Sequence, residues 1–168
     1  MLLRLAEVGD EPAVAAVHVR SWQVAYRGLL PDAYLDALDP AARAKRYTFG
    51  RTGPGRPVTT VAVADGVIRG FATAGPCRDD DARSAGELYA IYVHPDWWGS
   101  GTGRALIGAA RGRLESLGYQ QAVLWVLAGN ERAQRFYRKD GWSGDGSARR
   151  DEVQGIVLDE LRYRRPLP

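Results

Sequence analysis

A glycine-rich turn between a predicted strand and a predicted helix is the segment of this sequence best suited to chemistry. It spans residues 93–104 and carries glycines at positions 99, 101 and 103, with Arg104 directly after them. The first backbone N–H groups of a helix are unpaired, and together with the helix dipole they attract phosphate oxygens. Glycine has no Cβ and lets the main chain approach such an anion, while Arg104 adds a charged donor. The turn predicts a phosphate site, and a plain tight turn is the alternative.

Two familiar phosphate loops are excluded by the spacing. The turn has no Gly-Lys-Ser/Thr ending, so it is not a P-loop. Position 106 is leucine, so the turn does not match the G-x-G-x-x-G fingerprint of dinucleotide-binding folds.

Metal and thiol chemistry find little support in the sequence. The chain has one cysteine, Cys77, and two histidines, His18 and His94, which do not make up the usual structural zinc sets or an internal disulfide. No metal is therefore expected. Cys77 has no histidine arranged with it in sequence, so a nucleophilic role is disfavoured, and His94 is expected to pack beside Pro95.

Two blocks of the sequence resemble the GNAT N-acetyltransferase superfamily. In residues 89–106 a strand ends at Val93-His94-Pro95 and runs into the glycine turn, as in the family's acetyl-CoA signature, [Gln/Arg]-x-x-Gly-x-[Gly/Ala]. Gly101 and Gly103 occupy its two small positions, while Trp98 replaces the usual Gln or Arg. Residues 130–142 resemble the second block, Asn-x-x-Ala-x-x-Phe-Tyr-x-x-x-Gly-Phe. Both blocks occur in the family's order and spacing.

The resemblance implies that acetyl-CoA binds between two central parallel strands that splay apart. Main-chain groups of the first strand would hold the pantetheine arm like an added strand, and amides of the glycine turn would hold the diphosphate. Asn130 would contact pantetheine, with a simple helix N-cap as the alternative. The implied cofactor-binding residues are Ile91, Tyr92, Val93, Gly99, Ser100, Gly101, Thr102, Gly103, Arg104, Asn130 and Tyr137.

Catalytic roles also follow from the resemblance. Tyr137 matches the general acid that protonates the departing CoA thiolate, although the i, i+3, i+4 spacing of Ala133, Phe136 and Tyr137 is also typical of a core face. Glu87 resembles a glutamate used as base or substrate anchor, with a solvated strand-end carboxylate as the alternative. The expected acceptor-binding residues are Trp22, Tyr26, Leu29 and Tyr89.

The elements that position these residues follow from periodicity and turn signals. A helix should begin near Asp10 and end at Gly28, with short helical pieces at Pro31 and Asp39, and Asp65-Gly66 predicts a type I′ hairpin turn. Residues 50–57 and 76–86 are expected to be loops, the second of them exposed. The predicted strands are 2–6, 58–64, 67–75, 87–93, 121–127 and 156–163, with a further strand possible near Trp142, and the later helices are 101–117 and 130–139.

These elements predict one α/β domain over residues 1–168, of the mixed α+β kind. Because the helix at 101–117 joins strands 87–93 and 121–127 by a crossover, those strands should be parallel neighbours or near-neighbours. With the preceding antiparallel hairpin, these elements give a mixed sheet. The resemblance implies a GNAT-like sheet of about six to seven strands with a splayed parallel pair, flanked by helices.

Composition narrows the class of protein. The chain has 168 residues, of which 45% are hydrophobic and 26% charged, the proportions of an ordinary globular domain. No stretch is typical of a signal peptide or membrane helix, so a cytoplasmic protein that does not bind membranes is expected. The net charge of +3 comes from scattered arginines with acidic neighbours, which argues against a nucleic-acid surface.

The sequence therefore predicts an N-acetyltransferase that uses acetyl-CoA and a small-molecule or peptide amine, as a monomer or homodimer. A non-catalytic CoA-binding or regulatory module of the same fold is the alternative. A nucleic-acid binder is a third and weaker interpretation.

Overall fold

The residues that the structure describes form a mixed sheet of seven strands, which organises the fold. A computed structural model describes residues 1–51 and 53–168; position 52, within the predicted 50–57 loop, lies outside the described residues. In the described part, the strand order is β1-β2-β3-β4-β5-β7-β6. The strands are β1 Leu2–Leu5, β2 Val58–Ala64, β3 Val67–Pro76, β4 Gly86–Val93, β5 Gln121–Leu127, β6 Ser143–Val153 and β7 Ile156–Pro166. The helices are α1 Glu11–Ala25, α2 Asp32–Asp36, α3 Pro40–Ala44, α4 Thr102–Ser116 and α5 Glu131–Lys139.

The predicted fold class is confirmed, including the splayed parallel pair. Strands β4 and β5 pair in parallel only where Gly86–Leu88 meets Ala122–Leu124. Just beyond, the register of β4 on β3 shifts between Leu88 and Ala90, which leaves Tyr89 as the extra residue of a β-bulge. From this bulge onward β4 and β5 are unpaired, so a cleft opens towards their carboxyl ends.

Helices cover both faces of the sheet because its strands carry apolar side chains on both faces. Leu106 and Leu114 of α4 are buried in the same cluster as Ala72 of β3. The neighbouring β3 residue, Phe71, packs on the opposite face against Val14 of α1. Successive strand residues point to opposite faces, so β3 and β4 lie between the two helices. None of the helices in the described residues is both long enough and apolar enough to span a membrane.

The hairpins β2–β3 and β6–β7 differ in how clearly the sequence predicts them. Asp65 and Gly66 have φ of 52° and 74°, as the predicted type I′ turn requires. The second hairpin, β6–β7, turns at Gln154 and Gly155, with φ of 52° and 78°. Only its second strand is clearly predicted, because β6 is an exposed edge strand without a buried apolar repeat.

The 76–86 segment is a correction to the sequence-based expectation of an exposed loop. Cys77, Ala82 and Ala85 are buried and pack with Val123 of β5. The acidic residues of this segment are also engaged, since Asp79 and Asp81 both accept hydrogen bonds from the buried Arg162. The segment is therefore fixed against β5 and β7.

His18, on the buried face of α1, gives the fold a pH dependence that can be measured. Its ring lies 4.7 Å from that of Tyr92 between centroids, and its Nδ1 is 2.7 Å from the Tyr47 hydroxyl oxygen. Burial, followed by the charge of Arg43, lowers the pKa of His18 from 6.5 to about 3. The stability contributed by neutral His18 is thus complete above pH 6.5 and is lost as the pH falls towards 3.

We expect protonation of the unfolded chain at His18 to remove about 2 kcal/mol of stability between pH 7 and pH 5. Urea unfolding at both pH values should show a smaller difference for His18→Asn than for the wild type. His94→Asn, at the other histidine, is the control and should keep the wild-type difference. An unchanged difference in His18→Asn would assign this pH dependence to other groups.

Candidate active site

A cavity of about 580 Å³ fills the cleft between the diverging ends of β4 and β5. Residues 87–93 of β4 form one wall, and 125–127 of β5 form the other. The end of α1, the glycine turn, α5 and the β6–β7 hairpin complete the lining. One space therefore joins the glycine turn to the unpaired edge of β4.

The glycine turn presents free backbone donors at the start of α4. Gly99 and Gly101 have φ of 79° and 87°, in the left-handed region that favours glycine, and Gly101 is the N-cap of α4. The Ser100 amide donates to the Trp97 carbonyl and the Thr102 amide to the Ser100 hydroxyl. Within the described ranges, the amides at positions 99, 101, 103 and 104 have no protein acceptor. Free amides grouped at a helix N-terminus are an arrangement that can bind an anion.

Trp98 takes part in the turn through its side chain. Its Nε1 donates to the Val93 carbonyl at 2.8 Å, which ties the turn to the end of β4. Arg132 of α5 stacks on the same indole, with Cζ 3.3 Å from the ring centroid. The residue that departs from the family signature thus positions an arginine at the cavity.

The α4–α5 side of the cavity is strongly positive. Its basic lining residues are Arg104, Arg132, Arg135 and Lys139. In the part of the chain that the structure describes, none of the four pairs with a carboxylate. Burial lowers the pKa of Arg132, which fits a cation without a counter-charge. This side suits a ligand that carries several negative charges.

Three tyrosines surround the middle of the cavity. Tyr26 comes from the end of α1, Tyr92 from β4 and Tyr137 from α5. Burial raises the pKa of all three phenols, so they are protonated at neutral pH. The Tyr137 ring packs edge-on against Phe136 and Trp142, whereas its hydroxyl has no hydrogen-bond partner among residues 1–51 and 53–168. That hydroxyl is free to meet a ligand.

The α1 side of the cavity carries paired charges and aromatic rings. Glu87 is buried, with 1% of its surface exposed, and both its oxygens accept hydrogen bonds from the Arg78 side chain. Arg78 lies over the Tyr89 ring, and Arg149 lies over Trp125, each with Cζ 4.1 Å from the centroid. Charges on this side balance, in contrast to the α4–α5 side.

Comparison with known proteins accords with this geometry. The model of the acetyltransferase (GNAT) family matches residues 19–142. An uncharacterised N-acetyltransferase of Bacillus subtilis, YuaI, is 32% identical over 163 residues, which cover 95% of this chain and 89% of that protein. This chain belongs to the GNAT acetyltransferase family.

Solved structures share the fold of this acetyltransferase. A GCN5-related N-acetyltransferase from Rhodopseudomonas palustris superposes with a TM-score of 0.77 at 22% identity, over 99% of this chain and 95% of its own. YncA of Salmonella typhimurium, a putative acetyltransferase solved with its cofactor acetyl-CoA, gives a TM-score of 0.70 at 21% identity, over 100% of this chain and 94% of its own. The chain is therefore a single-domain acyltransferase fold along its described length.

Most site residues predicted from sequence lie together in this acetyltransferase. Those that line the cavity are Trp22, Tyr26, Glu87, Tyr89, Ile91, Tyr92, Val93, Gly99, Gly101, Gly103, Arg104, Asn130 and Tyr137. Asn130 also caps α5, since its Oδ1 accepts from the Ala133 amide at 3.1 Å. Both interpretations of Asn130 are thus compatible with its position.

Three predicted residues do not line the cavity, and Glu87 differs from its expected environment. Leu29 lies after the end of α1 with 38% of its surface exposed. The backbone amides of Ser100 and Thr102 have acceptors within the turn, and Thr102 is buried. Glu87 is not a free carboxylate, because Arg78 occupies both of its oxygens.

Sequence reasoning missed several residues of this acetyltransferase site. They are Arg78, Trp125, Arg132, Arg149 and Glu160. Arg132 lies in the second family block at a position that the motif leaves open, and the others come from segments far apart in sequence. Side chains alternate between the two faces of a strand, and following this alternation along β5 and β7 would have placed Trp125 and Glu160 on the same face of the sheet.

Proposed function

We propose that this protein transfers the acetyl group of acetyl-CoA to a primary amine by direct attack in a ternary complex. The observation that carries the proposal is the single cavity that joins four free amides, a strongly basic side and the unpartnered Tyr137 hydroxyl. Diphosphate and 3′-phosphate charges suit the basic side, and the thioester then lies near the middle of the cleft. The acetyl-CoA complex of YncA, which shares the fold, supports this choice of cosubstrate.

The protein holds acetyl-CoA mainly through its backbone in this proposal. The amides of Gly99, Gly101, Gly103 and Arg104 bind diphosphate oxygens. The β4 edge beyond the bulge pairs with the pantetheine amides as a strand would. The Val93 carbonyl is not part of this pairing, because the Ser21 hydroxyl and the Trp98 indole already donate to it.

The reaction needs two proton movements at the centre of the cavity. Acetyl-CoA supplies a thioester; the neutral amine attacks its carbonyl carbon, a C–N bond forms, and the C–S bond breaks with its electron pair passing to sulfur. Tyr137 donates a proton to that sulfur and regains one from the amine nitrogen. The Tyr137 phenol remains available as a donor because burial raises its pKa.

Calorimetry and mass spectrometry together test the proposal. Titration with acetyl-CoA should release heat at a single site, and incubation with acetyl-CoA and a panel of primary amines should add one acetyl group to at least one amine. No heat with acetyl-CoA would contradict the proposal. Binding without transfer to any amine would favour the non-catalytic CoA-binding module.

Gly101→Val is expected to weaken acetyl-CoA binding about 30-fold. A β-branched residue is strained at a φ near +87°, so the loop of the variant relaxes to another backbone conformation. It must return to the strained conformation to bind acetyl-CoA, which costs about 2 kcal/mol. Since no atom lies within 4 Å of a Cβ added at this position, the effect comes from backbone conformation rather than a clash. The dissociation constant is measured by calorimetry.

Gly108→Val, in the same helix, is the matched control for Gly101→Val. Gly108 has helical backbone and also has open space around an added Cβ. Its affinity for acetyl-CoA should stay within twofold of the wild type. Equal affinities in the two variants would count against an anion site at the turn.

The acceptor is expected to be a small-molecule or peptide amine, bound on the α1 side near Trp22, Tyr26 and Tyr89. A monomer or homodimer located in the cytoplasm stays a prediction. The two sides of the cavity support this placement, because the unbalanced positive charge of α4 and α5 repels an ammonium group.

A further inference from the structure

The carboxylates that line the cavity are the candidates for binding the amine of the acceptor. In residues 1–51 and 53–168, two acidic side chains belong to the lining, Glu87 and Glu160. Glu87 Oε1 accepts from Arg78 Nη2 at 2.6 Å, and Oε2 accepts from the Arg78 amide and Nε at 3.0 and 3.2 Å. A proton or an ammonium group at Glu87 must first displace this arginine. Glu160 is therefore the better candidate.

Glu160 lies on β7, directly opposite Leu127 at the end of β5. Its side chain is largely buried, with 16% exposed. Oε2 accepts from Arg149 Nε at 2.7 Å, whereas Oε1 has no hydrogen-bond partner among the described residues. One oxygen is thus held in place by an ion pair, and the other is available to a ligand.

The surroundings of Glu160 also favour a polar ligand. Burial chiefly raises the pKa of the Tyr26 and Tyr92 phenols, and both lie near enough to Glu160 for its negative charge to add a minor part. The Trp22 ring lies edge-on to Tyr26, and its Nε1 is buried without a hydrogen bond of normal geometry. Because Trp22 lines the cavity, this buried Nε1 leaves an unsatisfied donor in the same lining to which Glu160 belongs.

We propose that Glu160 binds the ammonium group of the acceptor and removes its proton before attack. The proposal rests on the proposed acetyl transfer. The ammonium N–H gives one proton to Glu160 Oε1, from which it passes to solvent. The neutral amine then attacks the thioester, and its second proton replaces the one that Tyr137 gives to sulfur. The aromatic rings of Trp22 and Tyr26 favour the cation.

The acceptor class that follows is a primary alkyl ammonium ion. About one such amine in a few thousand is neutral at pH 7, so a positioned base has a large effect. The groups that face Glu160 are Arg149 from β6, Tyr26 from α1 and Tyr92 from β4.

Glu160→Gln tests the proposal with the amine that the wild type acetylates fastest in the panel. At pH 7 we expect kcat/KM for that amine to fall about 100-fold, while the dissociation constant for acetyl-CoA stays within twofold. Between pH 7 and 9 the rate of the variant should rise about tenfold per unit, because the neutral amine becomes more abundant. The wild-type rate should rise less steeply.

Three comparison variants separate this role from a structural one. Arg149→Gln removes the ion pair and keeps the carboxylate, so its loss should be below tenfold. Glu87→Gln should also lose less than Glu160→Gln. Asp159→Asn removes the neighbouring, exposed carboxylate that pairs with Arg150, and its activity should match the wild type.

The outcomes distinguish the two proposals. A Glu160→Gln enzyme that keeps wild-type kcat/KM, or a pH profile parallel to the wild type, overturns the assignment of Glu160 alone. A loss in Arg149→Gln equal to that in Glu160→Gln also overturns it, because the ion pair then accounts for the effect. A wild type that binds acetyl-CoA but acetylates no amine overturns the proposed function and the role of Glu160 with it.

Discussion

Replacing Tyr137 by phenylalanine is expected to lower kcat about 100-fold and to leave the dissociation constant for acetyl-CoA within twofold. The substitution removes one oxygen from a ring that packs edge-on against Phe136, Trp142 and Tyr163. Because that oxygen bonds to no other described residue, the packing and the stability of the fold should change little. A loss of rate thus reports on the reaction rather than on folding.

The raised pKa of Tyr137 limits how the phenol can act as a proton donor. A phenol whose pKa lies above its usual value of about 10 gives a proton to a thiolate of pKa about 8.5 only if another group returns one. The attacking nitrogen is that group, because it becomes strongly acidic once the C–N bond forms. In the proposed reaction, Tyr137 therefore passes a proton from nitrogen to sulfur and is not left as an isolated phenolate.

Tyr119→Phe is the matched control for Tyr137→Phe. Tyr119 is a partly buried tyrosine that packs on the same hydrophobic cluster and does not line the cavity. Single-turnover release of CoA, followed with a thiol reagent, should be normal in Tyr119→Phe and slow in Tyr137→Phe. A normal rate in Tyr137→Phe would remove Tyr137 from the proton path and leave it as a packing residue.

The shape of the half of the cavity proposed to bind acetyl-CoA could be predicted, because its residues are close together in the sequence. The glycines at 99, 101 and 103, the start of α4 and the end of β4 follow one another along a dozen residues. Their backbone conformations are set by residue type, as the positive φ of Gly99 and Gly101 shows. The preferences of neighbouring residues for particular backbone conformations are therefore sufficient to predict such a segment.

The half of the cavity proposed to bind the acceptor could be predicted only in part, because segments far apart in the sequence build the rest of it. Arg78 comes from the segment before β4, Trp125 from β5, and Arg149 and Glu160 from the last hairpin. Their proximity depends on β7 lying between β5 and β6, a strand order that no local pattern specifies. The burial of Glu87 depends likewise on Arg78, nine residues earlier, folding back over it.

Arg162 is the residue that fixes these segments to one another, and Arg162→Met is expected to destabilise the fold by about 3 kcal/mol. Only 5% of the Arg162 side chain is exposed, and it pairs with Asp79, Asp81 and Asp145 at 3.2, 2.7 and 2.7 Å. Asp79 also accepts from the Trp125 indole at 3.0 Å. Methionine fills the space but removes from two largely buried carboxylates, Asp79 and Asp145, the cation that lies nearest to them.

Arg164→Met is the matched control, since it makes the same change two residues further along the same strand. Arg164 is partly exposed and pairs with Asp145 at 3.4 Å, so its loss should cost less than about 1 kcal/mol. Urea unfolding of both variants at pH 7 gives the comparison. Equal losses would mean that the buried network contributes no more than a surface ion pair.

The function of the network can be measured in the same Arg162→Met protein. The described hydrogen bonds of Arg162 go to Asp79, Asp81, Asp145 and Ser147 and not to the glycine turn, so acetyl-CoA should bind with an affinity within twofold of the wild type. The Trp125 wall, in contrast, loses the arginine that holds Asp79 against it. KM for the acceptor should therefore rise several-fold, which would place the acceptor on this wall. A parallel loss of acetyl-CoA affinity would instead show that the two halves of the cavity unfold together.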